Sequence, residues 1–260
     1  MDKYTKVNAK AVDSWVEGGW EWGTPVTPEV CEKARNGEWD VLLTPILPVP
    51  KDWFLPFKDI KILGLASGGG QQMPIFSILG GNCTVMDLST RQLENERIVA
   101  QREGYEINIV QADMTEEFPF ENESFDLIFH PVSNVFIEDV QHVWNECHRV
   151  LKPGGVLLSG LSNGITYLFD ESTKPYTVVN TLPWNPLRNP EQMKKLQDED
   201  NDCFEFSHTF DDQIGGQLRA GFVIVSAYED YDNKNSDFRL EGIPTYWATK
   251  AIKTPIFFYV

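Results

Sequence analysis

Basic residues are scarce in this sequence. It has 22 lysines and arginines against 39 aspartates and glutamates, which gives a formal net charge of −17. Proteins that bind nucleic acids take much of their affinity from Lys and Arg, and anionic membrane surfaces attract the same residues. We therefore expect neither a nucleic acid nor a membrane surface as partner, and we interpret the charge as serving solubility.

Cysteine and histidine are also scarce, with four of each in 260 residues. The cysteines form no CxxC pair and the histidines form no HExxH pattern, so we expect no metal site. The first residues are polar and no apolar run reaches 18 residues, which predicts neither a signal peptide nor a transmembrane helix. These absences favour a cytoplasmic protein with reduced thiols.

From about residue 60, short apolar runs alternate with stretches of helical spacing. This alternation is typical of a parallel sheet covered by helices on both faces, and it predicts a doubly wound α/β fold. The predicted strands cover 60–66, 83–89, 107–113, 124–132, 155–161, 222–230 and 245–252. The predicted helices cover 72–81, 89–104, 138–151 and 209–221, and KPGG at 152–155 is predicted as a tight turn.

The remaining stretches divide the chain. Residues 1–57 contain WVEGGWEWG and a Pro-rich run, fit no βα unit, and are predicted to form an N-terminal arm or cap. Residues 58–162 are predicted as the cofactor-binding half of one domain. Residues 163–203 interrupt the pattern and are predicted as an irregular insertion that covers the site like a lid. Residues 204–260 are predicted to complete the domain.

The run KILGLASGGGQQMPIF, residues 61–76, places three successive glycines between a strand and a helix. Open α/β sheets bind nucleotides at such loops, because glycine lets the ligand approach the backbone. Read as Gly64-x-Ala66-x-x-Gly69, the loop is a degraded dinucleotide fingerprint, and Asp87 stands near the position of a ribose ligand. The loop and the acid alone do not separate NAD from other adenosine cofactors.

Further motifs follow in order: an acid after strand two, QAD after strand three, SFDLIF as strand four and RVLKPGG before strand five. This succession resembles the class I S-adenosylmethionine-dependent methyltransferases. A closer resemblance, carried by LGLASGGGQQMP, FHPVSN and SHT…IGGQL, is to a group of uncharacterised bacterial methyltransferases. The resemblance implies a seven-stranded, mostly parallel sheet with an antiparallel last strand. It also implies S-adenosylmethionine as cofactor and S-adenosylhomocysteine as product.

The resemblance also assigns residues to the cofactor. Asp87 would bind the ribose hydroxyls, Asp113 the adenine amino group, and Met114 the ring; carboxylates suit hydroxyl and amine donors. The full set of predicted cofactor residues is Ala66, Ser67, Gly68, Gly70, Gln72, Asp87, Leu88, Gln92, Asp113, Met114 and His130. The family usually has an acid where Gly64 stands and a glycine at Ala66. Another group must then hold the methionine ammonium, and the candidates are Ser67, Gln71, Gln72 and His130.

The fourth strand ends in FHPVSN, which should lie beside the reactive end of the cofactor. It lacks the (Asp/Asn)-Pro-Pro-(Tyr/Phe) tetrad found in methyltransferases that modify adenine or glutamine nitrogens, so those acceptors are disfavoured. His130 is a candidate general base, because an ordinary His is half neutral near pH 6.5; the alternative is a structural His at a strand end. The candidate acceptor contacts are Trp20, Trp22, Ser133, Asn134, Tyr167 and Gln213, each of which could instead pack in the scaffold.

We expect methyl transfer to a small-molecule acceptor. A sulfonium is already activated, so alignment and exclusion of water matter more than acid–base groups. Two alternatives stay open: an NAD-dependent oxidoreductase on the same loop, and an S-adenosylmethionine-binding protein without catalysis. The sequence does not identify the acceptor atom, the oligomeric state or the pathway.

Overall fold

The structure, a computed structural model, describes residues 3–169, 175–198, 203–233 and 240–254. Its centre is a seven-stranded sheet. The strands are β1 (Lys61–Leu65), β2 (Asn82–Asp87), β3 (Asn108–Gln111), β4 (Phe125–His130), β5 (Leu151–Ser162), β6 (Phe222–Asp230) and β7 (Tyr246–Lys253). Their order is β3-β2-β1-β4-β5-β7-β6. The first five strands pair in parallel, and β7 lies antiparallel between β5 and β6. The predicted fold class is confirmed.

Seven α-helices are described around the sheet, together with a π-helical turn at Asp211–Gly215. They are α1 (Tyr4–Glu17), α2 (Pro28–Arg35), α3 (Met73–Ile78), α4 (Thr90–Glu103), α5 (Val140–Val150), α6 (Pro190–Asp198) and α7 (Gly216–Arg219). Local sequence sets the ends of α4. The Ser89 hydroxyl accepts a hydrogen bond from the Gln92 amide, and Gly104 takes the left-handed conformation that closes the helix.

The core has two parts because neighbouring side chains on a strand point to opposite faces. Ile128 and Leu157 pack with Trp144 of α5 on one face of the sheet. Phe129 and Leu158 pack with Phe76 of α3 on the other. Covering both faces leaves the carboxyl ends of the parallel strands as the edge where a ligand site can form.

Three stretches differ from the sequence-based expectations. The KPGG run, predicted as a tight turn before β5, lies within the bounds of β5, where it bulges out of the pairing with β4: Phe125 pairs with Leu151 and Leu127 with Val156, and Gly154 adopts φ +81°. The insertion at 163–203 is not wholly irregular, since it contains α6 and a 3₁₀ turn at Ile165–Leu168; residues 170–174 and 199–202 lie outside the described residues. The helix predicted at 209–221 begins as the π-helical turn. Of the helices described, none is long and apolar enough to cross a membrane.

Candidate functional site

A cavity of about 280 Å³ lies at the carboxyl ends of β1, β2, β3 and β4. Pockets for drug-sized ligands usually span roughly 300–1,000 Å³, so this one is at the small end of that range. The loops after these four strands form its floor, and α1 with residues 20–22 and 42–45 forms its cover. It is therefore a partly enclosed pocket with room for a small molecule.

The glycine loop at 68–70 forms part of the floor without offering its amides to a ligand. All three amide groups donate hydrogen bonds within the protein. The acceptors are Asp87 Oδ2, the Gln92 carbonyl and Glu96 Oε1, at 3.1, 2.9 and 2.8 Å. A dinucleotide loop uses such amides to bind a pyrophosphate. Here they hold the loop against α4 and the end of β2.

Close packing explains why these positions need small residues. A Cβ at Gly68 would lie 2.6 Å from Gln92 Cβ, and Gly69 and Gly70 adopt φ +97° and +71°. Ala66, where the resembling family has a glycine, adopts φ +45°. A non-glycine residue tolerates this left-handed region only at a cost in strain. The loop thus keeps the backbone path of a glycine despite its alanine.

The missing acid at Gly64 also has a steric reason. A Cβ there would lie 2.6 Å from the sulfur of Met73 and 2.9 Å from two of its carbons. Met73 is fully buried at the start of α3. Its side chain occupies the volume into which a residue 64 side chain would project, so an acid there would require the Met73 side chain to move.

Asp87, at the end of β2, keeps acceptor capacity for a ligand. Its two oxygens accept one backbone amide each, from Gly68 at 3.1 Å and from Ser89 at 2.9 Å. A carboxylate has about four acceptor positions, so two remain. Burial holds the pKa of Asp87 above its usual range, although the amides of Ser89 and Gly68 lower it.

Asp113, after β3, is in a different state. Oδ2 accepts hydrogen bonds from Lys3 Nζ at 3.1 Å and from the Thr5 hydroxyl at 2.7 Å. Oδ1 accepts both the amide and the hydroxyl of Thr115, at 2.9 and 2.7 Å. Burial raises the pKa of Asp113, but the bonds from Thr5 and Thr115 outweigh it and hold the pKa below its usual range. Its four acceptor positions are filled by the protein.

His130 lies beneath the cavity rather than on its wall. The ring is fully buried, with Nδ1 2.9 Å from the Leu65 carbonyl and Nε2 2.8 Å from the Asn134 amide. Burial lowers the pKa of His130, so the imidazole is neutral. Nε2 faces Asn134 Oδ1, while Asn134 Nδ2 donates to Gln213 Oε1 at 3.0 Å, so both ring nitrogens face protein oxygens and the single proton of the neutral ring is donated to one of them. Neither nitrogen is available to a ligand, and the predicted base role does not fit this geometry.

The cavity brings together most of the residues predicted for the cofactor. Those on the wall are Ala66, Ser67, Gly68, Gln72, Asp87, Leu88, Gln92, Asp113 and Met114, while Gly70 and His130 are not. Among the predicted acceptor contacts, Trp20, Trp22 and Ser133 line the cavity. Asn134 and Gln213 do not, because they are fully buried beside His130 and bond to each other at 3.0 Å. Tyr167 does not either, since it stacks on Trp184 and donates to Glu205.

Sequence reasoning missed the segment Leu42–Pro45 and Tyr246, which also line the cavity. The segment lies against the sheet where the Leu43 carbonyl accepts the Val132 amide at 3.2 Å. A Cβ at Gly160 would meet that carbonyl oxygen at 1.9 Å. A glycine inside a buried strand often marks such a close backbone approach, so Gly160 was an available signal.

The charge of the wall is negative. Among the described residues that line the cavity, Asp87 and Asp113 are the charged ones, and none is Lys, Arg or His. Gln92 adds an acceptor: its Oε1 is buried, and no hydrogen-bond donor in the described part of the chain reaches it. A buried acceptor without a donor normally has a partner from a ligand or water. The free acceptor positions of Asp87 fit an adenosine cofactor that carries hydroxyls.

Comparisons with known proteins agree with this geometry. A family profile described as "Methyltransferase domain" (Methyltransf_11) matches residues 63–159. The chain is 43% identical to "Uncharacterized methyltransferase YbaJ" of Bacillus subtilis (strain 168), over 97% of this chain and 100% of that protein. It is 24% identical to the ubiquinone biosynthesis O-methyltransferase of Chelativorans sp. (strain BNC1), over 54% of this chain and 57% of that protein.

A solved structure is similar as well. The S-adenosylmethionine-dependent methyltransferase from Mesorhizobium loti superposes with a TM-score of 0.60, covering 78% of this chain and 94% of that chain. The sequences are 16% identical, so the likeness concerns the fold.

Proposed function

This chain belongs to the methyltransferase family that includes YbaJ, and we propose that it transfers a methyl group from S-adenosylmethionine to a small-molecule acceptor. The observation that carries the proposal is the cavity wall. It offers the Asp87 carboxylate, whose acceptor positions are partly free, and none of the described lining residues is Lys, Arg or His. Such a wall suits a cofactor whose reactive centre is a sulfonium.

Asp87 is the proposed ribose ligand. Its two spare acceptor positions match the two adjacent hydroxyls of a ribose, and hydrogen bonds to an ionised acceptor are the strong ones. Asp113 and Met114 are proposed for the adenine, and Asp113 requires rearrangement of Lys3 or Thr5 first.

Three uncharged side chains are proposed to take over the role of the acid missing at residue 64. The Ser67 hydroxyl donates to Gln72 Oε1 at 3.0 Å, and Gln72 Nε2 lies 3.5 Å from Gln71 Oε1. Gln71 is fixed by donating its Nε2 to the carbonyls of Glu21 and Thr24. Its Oε1 therefore faces the cavity as an acceptor for the methionine ammonium.

The protein's part in the transfer is to align and to exclude water. When bound, S-adenosylmethionine supplies an activated methyl group, and its loss leaves S-adenosylhomocysteine. The cover formed by α1 and the segment Leu42–Pro45 keeps the reaction away from solvent. No buried base is needed for this chemistry, which agrees with the position of His130 below the wall.

The small size of the acceptor is inferred from two observations. The cavity is partly enclosed with a volume of about 280 Å³, and the net charge of −17 disfavours a nucleic acid. The name of the Chelativorans relative, an O-methyltransferase of ubiquinone biosynthesis, also points to small-molecule acceptors in this family.

An NAD-dependent oxidoreductase is disfavoured by the same site. The amides of residues 68–70, which would bind a pyrophosphate, already donate to protein acceptors. Catalysis separates the proposal from a protein that only binds the cofactor.

Two measurements test the proposal. In calorimetric titrations, S-adenosylhomocysteine should bind with one site per chain, and NADH should give no saturable heat. Methyl transfer from labelled S-adenosylmethionine should then be found in a screen of small amines, phenols and thiols. Binding of NADH in place of S-adenosylhomocysteine would refute the cofactor, and binding without any transfer would favour a non-catalytic role.

A further inference from the structure

The end of the cavity beyond the glycine loop has a wall of uncharged residues. Residues 42–45 and 131–133 line it, together with Tyr246. Because this part of the wall follows β4 and the N-terminus of β7, it lies away from the ends of β2 and β3 that carry Asp87 and Asp113. It is the part left for an acceptor.

This wall is held in place by backbone contacts. The Leu43 carbonyl accepts the Val132 amide at 3.2 Å, which joins the two facing segments. Further along, the amides of Ile46 and Leu47 both donate to Asp230 Oδ2, at 2.8 and 2.9 Å. Asp230 is fully buried on β6, so it anchors the 42–48 segment to the sheet. The acceptor end is therefore preformed.

The polar groups of this wall are already engaged. The Thr44 hydroxyl donates to the Tyr228 oxygen at 3.4 Å, and the Ser133 hydroxyl donates to the Pro131 carbonyl at 3.0 Å. The Tyr246 hydroxyl bonds to Asp232. Along the described lining residues no Lys, Arg or His balances a negative charge, and the nearest formal charges are carboxylates. An anionic acceptor would lose its hydration here and gain no ion pair.

The cofactor itself does not contradict this reasoning. Its methionine carboxylate is accompanied by its own ammonium and sulfonium, so S-adenosylmethionine carries a net positive charge. An anionic acceptor has no such internal compensation. We propose that the methyl acceptor is a largely apolar small molecule without an anionic group, and this inference rests on the proposed methyl-transfer function.

The test compares two ligands of one shape that differ in charge. Equilibrium dialysis at pH 7 against protein saturated with S-adenosylhomocysteine measures the binding of 2-naphthol, which is neutral, and of 2-naphthoate, which is anionic. We expect 2-naphthol to bind at least tenfold more tightly. Equal or tighter binding of 2-naphthoate would overturn the proposal, and so would the absence of saturable 2-naphthol binding.

A charge introduced into the wall sharpens the test. Leu42→Arg places a cation on the cavity and should reverse the preference toward 2-naphthoate. Ile46→Arg is the matched control, since Ile46 lies on the same segment but is exposed and off the wall; its preference should stay that of the parent protein. An unchanged preference in Leu42→Arg would contradict the placement of the acceptor.

The result also separates this inference from the proposed function. Calorimetry with S-adenosylhomocysteine is done first on the same protein. If that ligand binds and the naphthalene pair behaves otherwise than expected, the acceptor class is wrong and the cofactor assignment stands. If S-adenosylhomocysteine does not bind, the proposed function fails.

Discussion

The two carboxylates on the cavity wall, Asp87 and Asp113, have different surroundings. Asp87 is held by backbone amides of the α/β unit itself, from Gly68 and Ser89, and keeps two acceptor positions. Asp113 is held in part by Lys3 and Thr5 at the N-terminus, and its acceptor positions are filled. Asp87 therefore keeps acceptor positions for the proposed ribose contact, whereas the proposed adenine contact at Asp113 requires Lys3 or Thr5 to move first.

The largest effect should come from removing the Asp87 carboxylate. Asp87→Ala should weaken S-adenosylhomocysteine binding about a thousandfold, because two hydrogen bonds to an ionised group contribute roughly 1.5–3 kcal/mol each. Calorimetry measures it, with Asp52→Ala as the control, since Asp52 is exposed and far from the cavity wall. Asp113→Ala should cost less, because that carboxylate is already engaged. An equal loss of S-adenosylhomocysteine affinity in the two variants would contradict the proposed difference between Asp87 and Asp113.

A buried acid, Glu96, also holds the glycine loop beside Asp87. Glu96 is fully buried, accepts the Gly70 amide through Oε1, and burial raises its pKa to about 8. The folded protein therefore binds a proton at Glu96 that the unfolded chain releases near pH 4.5. Its contribution to stability is full below that pH and is lost as the pH rises toward 8.

Glu96→Gln should remove this loss. In urea unfolding, the free energy of unfolding of the variant should rise relative to that of the parent protein by about 3 kcal/mol between pH 5 and pH 8. The reason is that each pKa unit corresponds to about 1.4 kcal/mol. Since other groups titrate in both proteins, the difference between the two curves is the quantity to compare. A constant difference across this pH range would show that Glu96 is ionised in the folded protein.

A third test concerns Gly64 in β1. Gly64→Ala should lower the free energy of unfolding by about 2 kcal/mol, because the added Cβ must displace the buried Met73 side chain. Gly18→Ala is the matched control, since its added Cβ has contacts of 3.3 Å or more. If Gly64→Ala were as stable as Gly18→Ala, Met73 would not be the reason for the glycine.

The smallest effect should come from Lys3 in the N-terminal arm. Lys3→Ala frees one acceptor position on Asp113 and should tighten S-adenosylhomocysteine binding two- to fivefold, since a partly exposed ion pair contributes up to about 1 kcal/mol. Lys6→Ala, on the exposed face of the same helix, should change nothing. Weaker binding in Lys3→Ala would mean that the arm contributes to the cofactor site instead of competing with it.

Asp87 and Asp113 also show which parts of the site could be predicted from the sequence. The strands and the positions of Asp87 and Asp113 follow from apolar periodicity, because the carboxyl ends of parallel strands must share one edge. The burial of His130 and the packing of Met73 against Gly64 depend on side chains brought together only by the fold. Residues 42–45 lie in a Pro-rich stretch without periodicity, so nothing local placed them over the sheet.

A crystal structure of the protein with S-adenosylhomocysteine tests the central proposal most directly. The measured quantity is the distance from the Asp87 carboxylate oxygens to the ribose hydroxyls. We expect both hydroxyls within hydrogen-bond distance, about 2.5–3.0 Å, with the amides of residues 68–70 still bonded to the protein. A ligand bound outside this cavity, or a ribose that does not contact Asp87, would contradict the assignment.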